Sequence, residues 1–513
     1  MTGCNKGKNK KRVVLADESV YSSQNFTDLL IDSVAITTFF KTSAASDSIQ
    51  NEVNQFYTRR NYQFAWLNKS GLTNAVPNFY SQLQSYSRDF ADSSLNNKLL
   101  DSLIIAAQND EKIFLLQKNR VQQLELLLTT TFFKYTEKAY SGITKDPLDL
   151  EWFIPRKKKS YQVLLDSLVS LTKGEKIQEP VNQYYVLLKE KLRQYRGIQK
   201  KGGLPTVITD KKLIVVGDSN TCLVNVKQHL ILTGDLKLND NTIYFTDSLA
   251  KAVQRFQHRM GLVENGKINI ATIAEFNKPI DFRIKQMMVN MERLRWIPVE
   301  MENDYLLINI PEFRLHIFEN KKQVWAMNVV VGKSATKTSI FKGNLSQIVL
   351  NPYWGIPTSI VKNEILPKIS RNSNYLANNN MEVVNGNYRQ KPGKNNALGK
   401  IKFLFPNNFS IYLHDTPSKG LFGESKRAFS HGCIRVSEPQ KLALYLLRKD
   451  TNWNTEKVED ILKTDNETII RVNPTVPVYI AYFTAWVDNT GHLNFRNDLY
   501  HLDDKLSNEI FGE

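Results

Sequence analysis

The chain has 513 residues, enough for two to four domains, and its 42% hydrophobic and 23% charged residues are ordinary for a soluble globular protein. No run reaches the ~18 consecutive apolar residues of a membrane-spanning helix, so none is predicted. The formal net charge of +17 favours an acidic partner, but no nucleic-acid recognition motif accompanies it, which argues for an acidic polymer over nucleic acid.

Residues 1–20 are predicted to be a flexible basic tether that begins with Met1-Thr2-Gly3-Cys4. This tetrapeptide resembles the end of a bacterial lipobox, in which small residues precede a Cys that becomes acylated. If the resemblance holds, Cys4 carries a lipid and holds the protein near a membrane. The alternative, an incidental Cys in a basic tail, stays open.

Residues 21–200 are predicted to form a helical domain, because proline is scarce and apolar residues such as Val121, Leu124 and Leu128 recur at helical spacing. The density of Gly, Pro and Lys at 197–207 predicts a linker.

A compact module is predicted for residues 208–278. Thr246 is a good N-cap for a helix that places Leu249 on its apolar face, and Gly261 is placed to end that helix. With the string Ala252–Gln257, the module resembles a three-helix peptidoglycan-binding fold.

From Tyr305 onward the pattern changes to short β-rich runs separated by turn residues, which predicts a β-sandwich. Residues 352–400 interrupt these runs with Pro, Gly and a series of Asn residues. An insertion of that length is usually either a functional lid or a disordered loop. The alternating pattern of residues 478–504 predicts further strands.

Two neighbouring segments hold most of the reactive side chains: Tyr412–Pro417 and Ser430–Arg435. A thiol is a good nucleophile as a thiolate, and an imidazole close to Cys433 could provide one near neutral pH. Gly432 removes a side chain beside the sulfur, which allows backbone N–H groups to face a developing oxyanion. On these residues alone, an inert buried thiol is the competing interpretation.

The arrangement of His414 and the sequence Ser430–Arg435 resembles the active-site signature of the YkuD-type L,D-transpeptidases, bacterial enzymes that cross-link peptidoglycan. The resemblance extends upstream and downstream through Gln390–Gly393, Asn395–Gly399, Lys402–Asn407, Leu421–Phe422 and Arg427–Ser430. It is closest to large periplasmic members, which carry a helical scaffold domain and a peptidoglycan-binding module. The resemblance therefore implies a multidomain α+β protein with a catalytic domain at 281–513 and a lid subdomain at about 356–400.

The resemblance implies that Cys433 attacks a tetrapeptide stem, releases its terminal D-Ala and forms 3→3 cross-links through an acyl-enzyme. His414 is then the base and acid, with one ring nitrogen held by the backbone carbonyl of Asp415. Gly432 and Cys433 would supply the oxyanion N–H groups. For Asp415, the competing interpretation is a simple turn residue.

The remaining site residues have two interpretations each. His431 is either a second titrating group or, as we favour, a hydrogen-bonding post for the loop. Arg435 either clamps a substrate carboxylate or braces the loop. Tyr412 and Trp354 could line the substrate groove, although packing is the default explanation for an aromatic residue.

No cofactor or metal is expected, since Cys433, His414 and His431 lack a fourth ligand at regular spacing. The expected partners are peptidoglycan stem peptides and glycan, together with carbapenem-type inhibitors, and the expected location is the periplasm or cell envelope. An L,D-carboxypeptidase on the same site, a non-catalytic wall-binding protein and a basic nucleic-acid-binding protein remain as alternatives.

Overall fold

The structure is a computed structural model that describes residues 27–156, 159–172, 174–175 and 177–512. The chain divides into two compact units, one of residues 1–142 and 158–180 and the other of residues 143–157 and 181–513. Within the described ranges, no helix combines the length and the apolar character that crossing a bilayer requires. The predicted tether and Cys4 lie outside the described residues.

The first unit is almost entirely helical, as the apolar spacing predicts. Its helices are α1 (Ser33–Thr42), α2 (Asp47–Arg59), α3 (Ala75–Phe90), α4 (Lys98–Asn109), α5 (Glu111–Leu116), α6 (Lys118–Thr136) and α7 (Tyr161–Val169). The strands β1 (Leu67–Asn68) and β2 (Gly71–Leu72) form a hairpin between α2 and α3. Val121, Leu124 and Leu128 are all buried on α6, which confirms the helical prediction there.

The second unit is made of two stretches of chain. The first contains β3 (Trp152–Phe153), and the first helix of the second is α8 (Gln183–Lys200). The prediction of a linker from residue 197 was wrong for its first part, because α8 continues to Lys200. Ile198 extends the buried stripe that includes Leu188, so packing outweighs the weak helix propensity of Gly197.

Three helices and a two-stranded sheet follow in the region predicted as a compact module. They are β4 (Leu213–Ile214), α9 (Cys222–Leu232), α10 (Asp247–Met260), β5 (Ile268–Asn269) and α11 (Ile270–Phe276), with β4 paired to β5. The predicted helix caps are confirmed: the Thr246 side chain accepts a hydrogen bond from Leu249 N–H at 3.3 Å, and Gly261 adopts φ +69° after α10.

The long helix α12 (Ile280–Trp296) leads into the large sheet. The strands of the sheet are β6 (Tyr305–Asn309), β7 (Arg314–Glu319), β8 (Lys322–Gly332), β9 (Ile340–Leu350), β13 (Ile401–Leu404), β14 (Leu413–His414), β15 (Ala428–Ser430), β16 (Ile434–Val436) and β17 (Thr468–Ala481), joined by β3. Helices α16 (Pro439–Leu447) and α17 (Thr455–Lys463) connect β16 to β17.

This sheet differs from the predicted β-sandwich. Its strands pair in the order β13-β14-β16-β8-β7-β6-β17-β9, and β13 also pairs with β9, so the sheet closes on itself. Alternating apolar and polar residues are common to sandwiches and closed sheets, because in both the side chains point alternately inward and outward. The pattern therefore could not distinguish the two.

The insertion at 352–400 is folded. It contains β10 (Trp354–Gly355), α13 (Thr358–Ile360), α14 (Leu366–Ile369), α15 (Tyr375–Asn378), β11 (Met381–Val384) and β12 (Asn387–Gln390). The strands form a sheet in the order β10-β12-β11. Ile356, Val361 and Ile365 are the buried residues of a small core within this subdomain. A disordered loop, one of the two alternatives left open by the sequence, is therefore not what the structure shows.

The C-terminal strands are only partly as predicted. The end of β17 joins the large sheet, whereas β18 (Ala485–Val487) and β19 (Leu493–Phe495) pair with each other. Residue 502 onward is helical, in α18 (Leu502–Phe511). The buried face of this helix carries Leu502 and Leu506, a spacing that favours a helix over a strand.

Candidate active site

The pairing of β14 with β16 brings the predicted site residues together. These strands run parallel, with His414 opposite Arg435 and Leu413 opposite Ile434. Because side chains alternate along a strand, Tyr412 lies on the face of His414, and Cys433 lies on the face of Arg435. The rings of Tyr412 and His414 are 5.7 Å apart between centroids.

Cys433 is partly buried, and its Sγ lies 3.6 Å from the backbone oxygen of Ser410. Burial raises the pKa of the thiol, while hydrogen bonding by Tyr412 and the positive charge of Lys402 act in the opposite direction. The net effect is a raised pKa, so the resting form at neutral pH is the thiol. A reaction in which this sulfur attacks as a thiolate would therefore need a base.

His414 is buried, and its Nδ1 lies 2.5 Å from the backbone oxygen of Asp415, the contact that the resemblance implies. Burial and the charge of Arg435 lower the pKa of His414 to about 3, against the opposing effect of that carbonyl. The imidazole is therefore neutral at physiological pH. A neutral imidazole that donates from Nδ1 leaves Nε2 as the proton acceptor.

The carboxylate of Asp415 holds the surrounding turn. It accepts hydrogen bonds from Lys400 N–H at 2.9 Å and Thr416 N–H at 2.7 Å, and it pairs with the ammonium group of Lys419. A Cβ on Gly399 would lie 2.4 Å from this carboxylate, so only glycine permits the approach. Asp415 thus fixes the peptide group whose oxygen orients His414.

The turn that carries Cys433 is held from both sides. Gly432 adopts φ +116°, and its carbonyl accepts a hydrogen bond from the Thr338 hydroxyl at 2.7 Å. The Ser430 hydroxyl donates to the Cys433 carbonyl at 2.6 Å and accepts from Gly432 N–H at 3.2 Å. One of the two expected oxyanion donors is therefore already engaged, whereas the Cys433 N–H has no hydrogen-bond partner among the described residues.

The guanidinium of Arg435 makes no hydrogen bond or ion pair with any residue that the structure describes. Its Nε is buried without a partner, and burial lowers its pKa. An unsatisfied buried donor is costly, and a carboxylate ligand would satisfy it. The bracing interpretation finds no contact in the described part of the chain, and the carboxylate clamp becomes the better interpretation.

His431 and Trp354 both connect the site to the inserted subdomain. The His431 side chain is 49% exposed, and its Nε2 lies 3.3 Å from a carboxylate oxygen of Glu364. We favoured a role for His431 as a hydrogen-bonding residue that shapes its own loop. The structure gives this role no support, since the His431 side chain contacts the insertion. Trp354, on β10, interacts with the partly buried side chain of Tyr412, whose pKa is raised chiefly by desolvation.

Lys402 was not recognised from sequence as a site residue. It lies on β13 directly opposite His414, and its ammonium group is 4.1 Å from the ring centroid of Tyr412. Burial lowers the pKa of Lys402, and the sulfur of Cys433 opposes that shift. The lysine stood within the motif region, but only the antiparallel pairing of β13 with β14 shows which residue it faces.

We expect Lys402→Met to slow alkylation of Cys433 by iodoacetamide at neutral pH, because a nearby cation favours the thiolate. The pH midpoint of alkylation should move upward in Lys402→Met and stay near the wild-type value in Lys402→Arg. An unchanged midpoint in Lys402→Met would show that the lysine does not act on the sulfur.

Comparisons with known proteins agree with this geometry. Residues 303–460 match the family model described as the L,D-transpeptidase catalytic domain, YkuD, and residues 51–192 match a Scaffold domain. Residues 303–460 are thus similar to the YkuD-type L,D-transpeptidase catalytic domain. A curated Haemophilus influenzae protein named "Putative L,D-transpeptidase" is 31% identical over 244 residues, which are 44% of this chain. The match spans about half (49%) of that relative's length.

Solved L,D-transpeptidase structures are more distant. One from Xylanimonas cellulosilytica is 13% identical, covers 53% of this chain and 100% of its own, and has a TM-score of 0.19. One from Stackebrandtia nassauensis is 12% identical, covers 54% of this chain and 96% of its own, and has a TM-score of 0.22. At these TM-scores the likeness adds nothing to the assignment.

Proposed function

We propose that the protein is an L,D-transpeptidase that forms 3→3 peptidoglycan cross-links through a Cys433 acyl-enzyme. The observation that carries this proposal is the parallel register of β14 and β16, which sets Tyr412 and His414 beside Cys433 and Arg435 within the catalytic domain. A nucleophile, a neutral base and an unpaired cation on adjacent strands are the groups that acyl transfer from a carboxylate-bearing peptide requires.

In the proposed acylation, the Cys433 sulfur attacks the carbonyl between the third residue of a tetrapeptide stem and its terminal D-Ala. The thiol proton passes to His414 and then to the departing nitrogen of D-Ala as the C–N bond breaks. A thioester remains on Cys433. An amine on the third residue of a second stem attacks it, and Cys433 recovers its proton.

The electrostatics of the resting site suit this sequence. Because the pKa of His414 is lowered and that of Cys433 is raised, the pair is neutral before attack. Negative charge then develops on the carbonyl oxygen, where the Cys433 N–H can donate without first breaking a hydrogen bond to a described residue. Arg435 would bind a stem carboxylate, and Tyr412 and Trp354 would form one wall of the groove.

The test is incubation of the full chain with purified disaccharide-tetrapeptide, followed by mass spectrometry. We expect a dimer that has lost one D-Ala. A tripeptide product alone would identify the second candidate, an L,D-carboxypeptidase, in which water resolves the thioester. No change in substrate, with retained binding to peptidoglycan, would favour a non-catalytic wall-binding protein.

The proposed location is the periplasm or cell envelope, because the proposed substrate lies there. Fractionation of cells that express the full chain checks this, and recovery in the cytosolic fraction alone would contradict it. Labelling with a fatty-acid analogue tests the lipid anchor, since incorporation should be lost in Cys4→Ser.

We further propose that the inserted subdomain is a movable lid over Cys433. A polymer-acting enzyme must admit two stems and yet keep water away from a thioester, and a closing cap achieves both. The contact of Glu364 with His431 joins the insertion to the nucleophile's turn through two partly exposed side chains. We do not include residues 391–400 in the proposed lid, because they are held in place at two points. Asn396 donates to the Pro352 carbonyl at 3.0 Å, and Gly399 packs on Asp415.

We expect amide hydrogen exchange in residues 356–390 to be fast in the free enzyme and slower after acylation by a carbapenem. In a deletion variant, a short Gly-Ser linker replaces residues 357–389 and residues 391–400 are kept. This variant should hydrolyse the donor stem more, relative to cross-linking, than the wild-type protein does. Strong protection in the free enzyme, together with an unchanged product ratio in the deletion variant, would identify an ordinary structural insertion.

A further inference from the structure

A large cavity of about 1650 Å³ lies in the second unit, apart from the candidate active site. Its walls come from the end of α10 and the loop after it, from β7, from residues 425–427 and from the β18–β19 region. Neither Cys433 nor His414 belongs to its lining. Small-molecule sites are commonly ~300–1,000 Å³, so this cavity is large enough for an extended ligand.

Three arginines of the cavity wall, Arg314, Arg427 and Arg496, lack an ion-pair partner among the described residues. The guanidinium groups of Arg427 and Arg496 donate only to backbone carbonyls, and the contacts of Arg314 to Ala326 and Asn328 are long, at 3.4 and 3.5 Å. The Nε of Arg427 is buried without a hydrogen-bond partner. All three side chains are partly buried on the cavity wall, where a bound anion would take up their unused N–H donors.

The three guanidinium groups are close enough to affect one another. Burial lowers the pKa of Arg427 to about 10, together with the charges of Arg314 and Arg496 and against the effect of Glu312. Glu312 is itself occupied: its Oε2 lies 2.8 Å from Nε2 of His316. Although burial favours its neutral form, His316, Arg496 and Arg314 lower its pKa to about 2. Glu312 thus faces three arginines and a histidine, and Glu264 and Glu275 add negative charge near Arg496.

The other carboxylates of the wall have hydrogen-bond or ion-pair partners other than the three arginines. Glu264 lies 2.8 Å from His258, Asp488 accepts from Thr490, His492 and Asn494, and Asp498 accepts from Tyr482, Leu502 and Asp503. The side chain of Arg496 is also closely packed. A Cβ on Gly261 would lie 2.6 Å from Cδ of Arg496, so the turn after α10 fits against this side chain.

We propose that this cavity is an anion-binding site whose ligand presents carboxylate or phosphate oxygens to Arg314, Arg427 and Arg496. Guanidinium groups match the planar geometry of both oxyanions and bind them through paired, charge-assisted hydrogen bonds. Three like charges held together destabilise the free protein, and such a cost is typical of a binding site. The proposal does not depend on the chemistry assigned to Cys433.

The probes are pyrophosphate, which supplies phosphate oxygens, and tricarballylate, which supplies carboxylates. Binding of each to the full chain is measured by calorimetry at low salt, where surface screening is weak. We expect saturable binding of at least one probe, weakened at least about tenfold in Arg314→Gln and in Arg427→Gln by the loss of a charge-assisted contact. Arg496 is left intact, because the turn after α10 packs closely against its side chain and its guanidinium holds the Arg259 and Phe495 carbonyls.

Arg371→Gln is the control, since Arg371 is exposed on the insertion, has no ion-pair partner in the described part of the chain and does not line the cavity. Binding should persist in this variant. Binding of pyrophosphate alone would identify a phosphate ligand, and binding of tricarballylate alone a carboxylate ligand. Absence of saturable binding, or binding lost in Arg371→Gln and kept in the cavity variants, would overturn the proposal.

A measurement on the wild-type protein removes any dependence on how the variants fold. Phenylglyoxal modifies arginine, and peptide mapping reports each site. Saturating anion should protect Arg314 and Arg427 from modification and leave the exposed Arg371 reactive. Equal modification of Arg314 and Arg427 with and without anion would contradict the proposal, whatever the outcome of the transpeptidase assay.

Discussion

Replacing Cys433 with alanine is expected to abolish acyl transfer and leave the fold intact. The sulfur is the attacking atom of the proposed reaction, and among the described residues the other cysteine, Cys222, is buried on α9. The backbone of the turn is held by Thr338 and Ser430, whose contacts do not involve the thiol, so its removal should leave the turn in place. Product formation from disaccharide-tetrapeptide gives the measurement, and turnover above a few per cent would exclude Cys433 as the nucleophile.

A carbapenem provides a second readout of the same variant. Its strained lactam carbonyl offers an activated thiolate the same kind of electrophile as the stem amide, so intact-protein mass spectrometry should show one adduct. The adduct should persist in Cys222→Ala and be absent from Cys433→Ala. Peptide mapping of the adduct to Cys222 would contradict the assignment.

Replacing His414 with alanine is expected to slow acylation by ~10²–10⁴-fold, the usual contribution of general acid–base catalysis. Because the pKa of His414 is about 3 and that of Cys433 is raised, the neutral pair persists through the physiological range. Wild-type acylation should therefore show a plateau from about pH 5 to 8, since neither group titrates in that range. Single-turnover acylation measured across that range tests both statements.

Two further variants separate the base from its neighbours. His414→Gln preserves much of the buried volume and should be as impaired as His414→Ala if proton transfer is what is lost. His431→Ala should be much less impaired, since this side chain is half-exposed and faces Glu364. A larger acylation defect in His431→Ala than in His414→Ala would assign the base to His431.

The sequence by itself was enough to propose which residues carry the chemistry, and it predicted some of the local elements. The reactive groups of Ser430–Arg435 were evident because thiol, imidazole and guanidinium chemistry depends on residue identity. Helix α10 was predictable from its caps and apolar spacing, since an N-cap bonds within three residues and a C-terminal glycine relieves a local backbone constraint. These properties depend on residues that are close in sequence, so the sequence alone predicts them.

Tertiary structure alone decided where those groups lie relative to one another and in which protonation state. Strand pairing placed Lys402 opposite His414, closed the sheet through β13, and brought Thr338 to the carbonyl of Gly432 across 94 residues. Burial made His414 neutral, and the engagement of Gly432 N–H by Ser430 left the Cys433 N–H as the available oxyanion donor. The alternation of apolar and polar residues does not show which distant strand pairs with a given strand. Desolvation depends on every segment that packs over a group, so the protonation states and free donors of the site followed only from the folded chain.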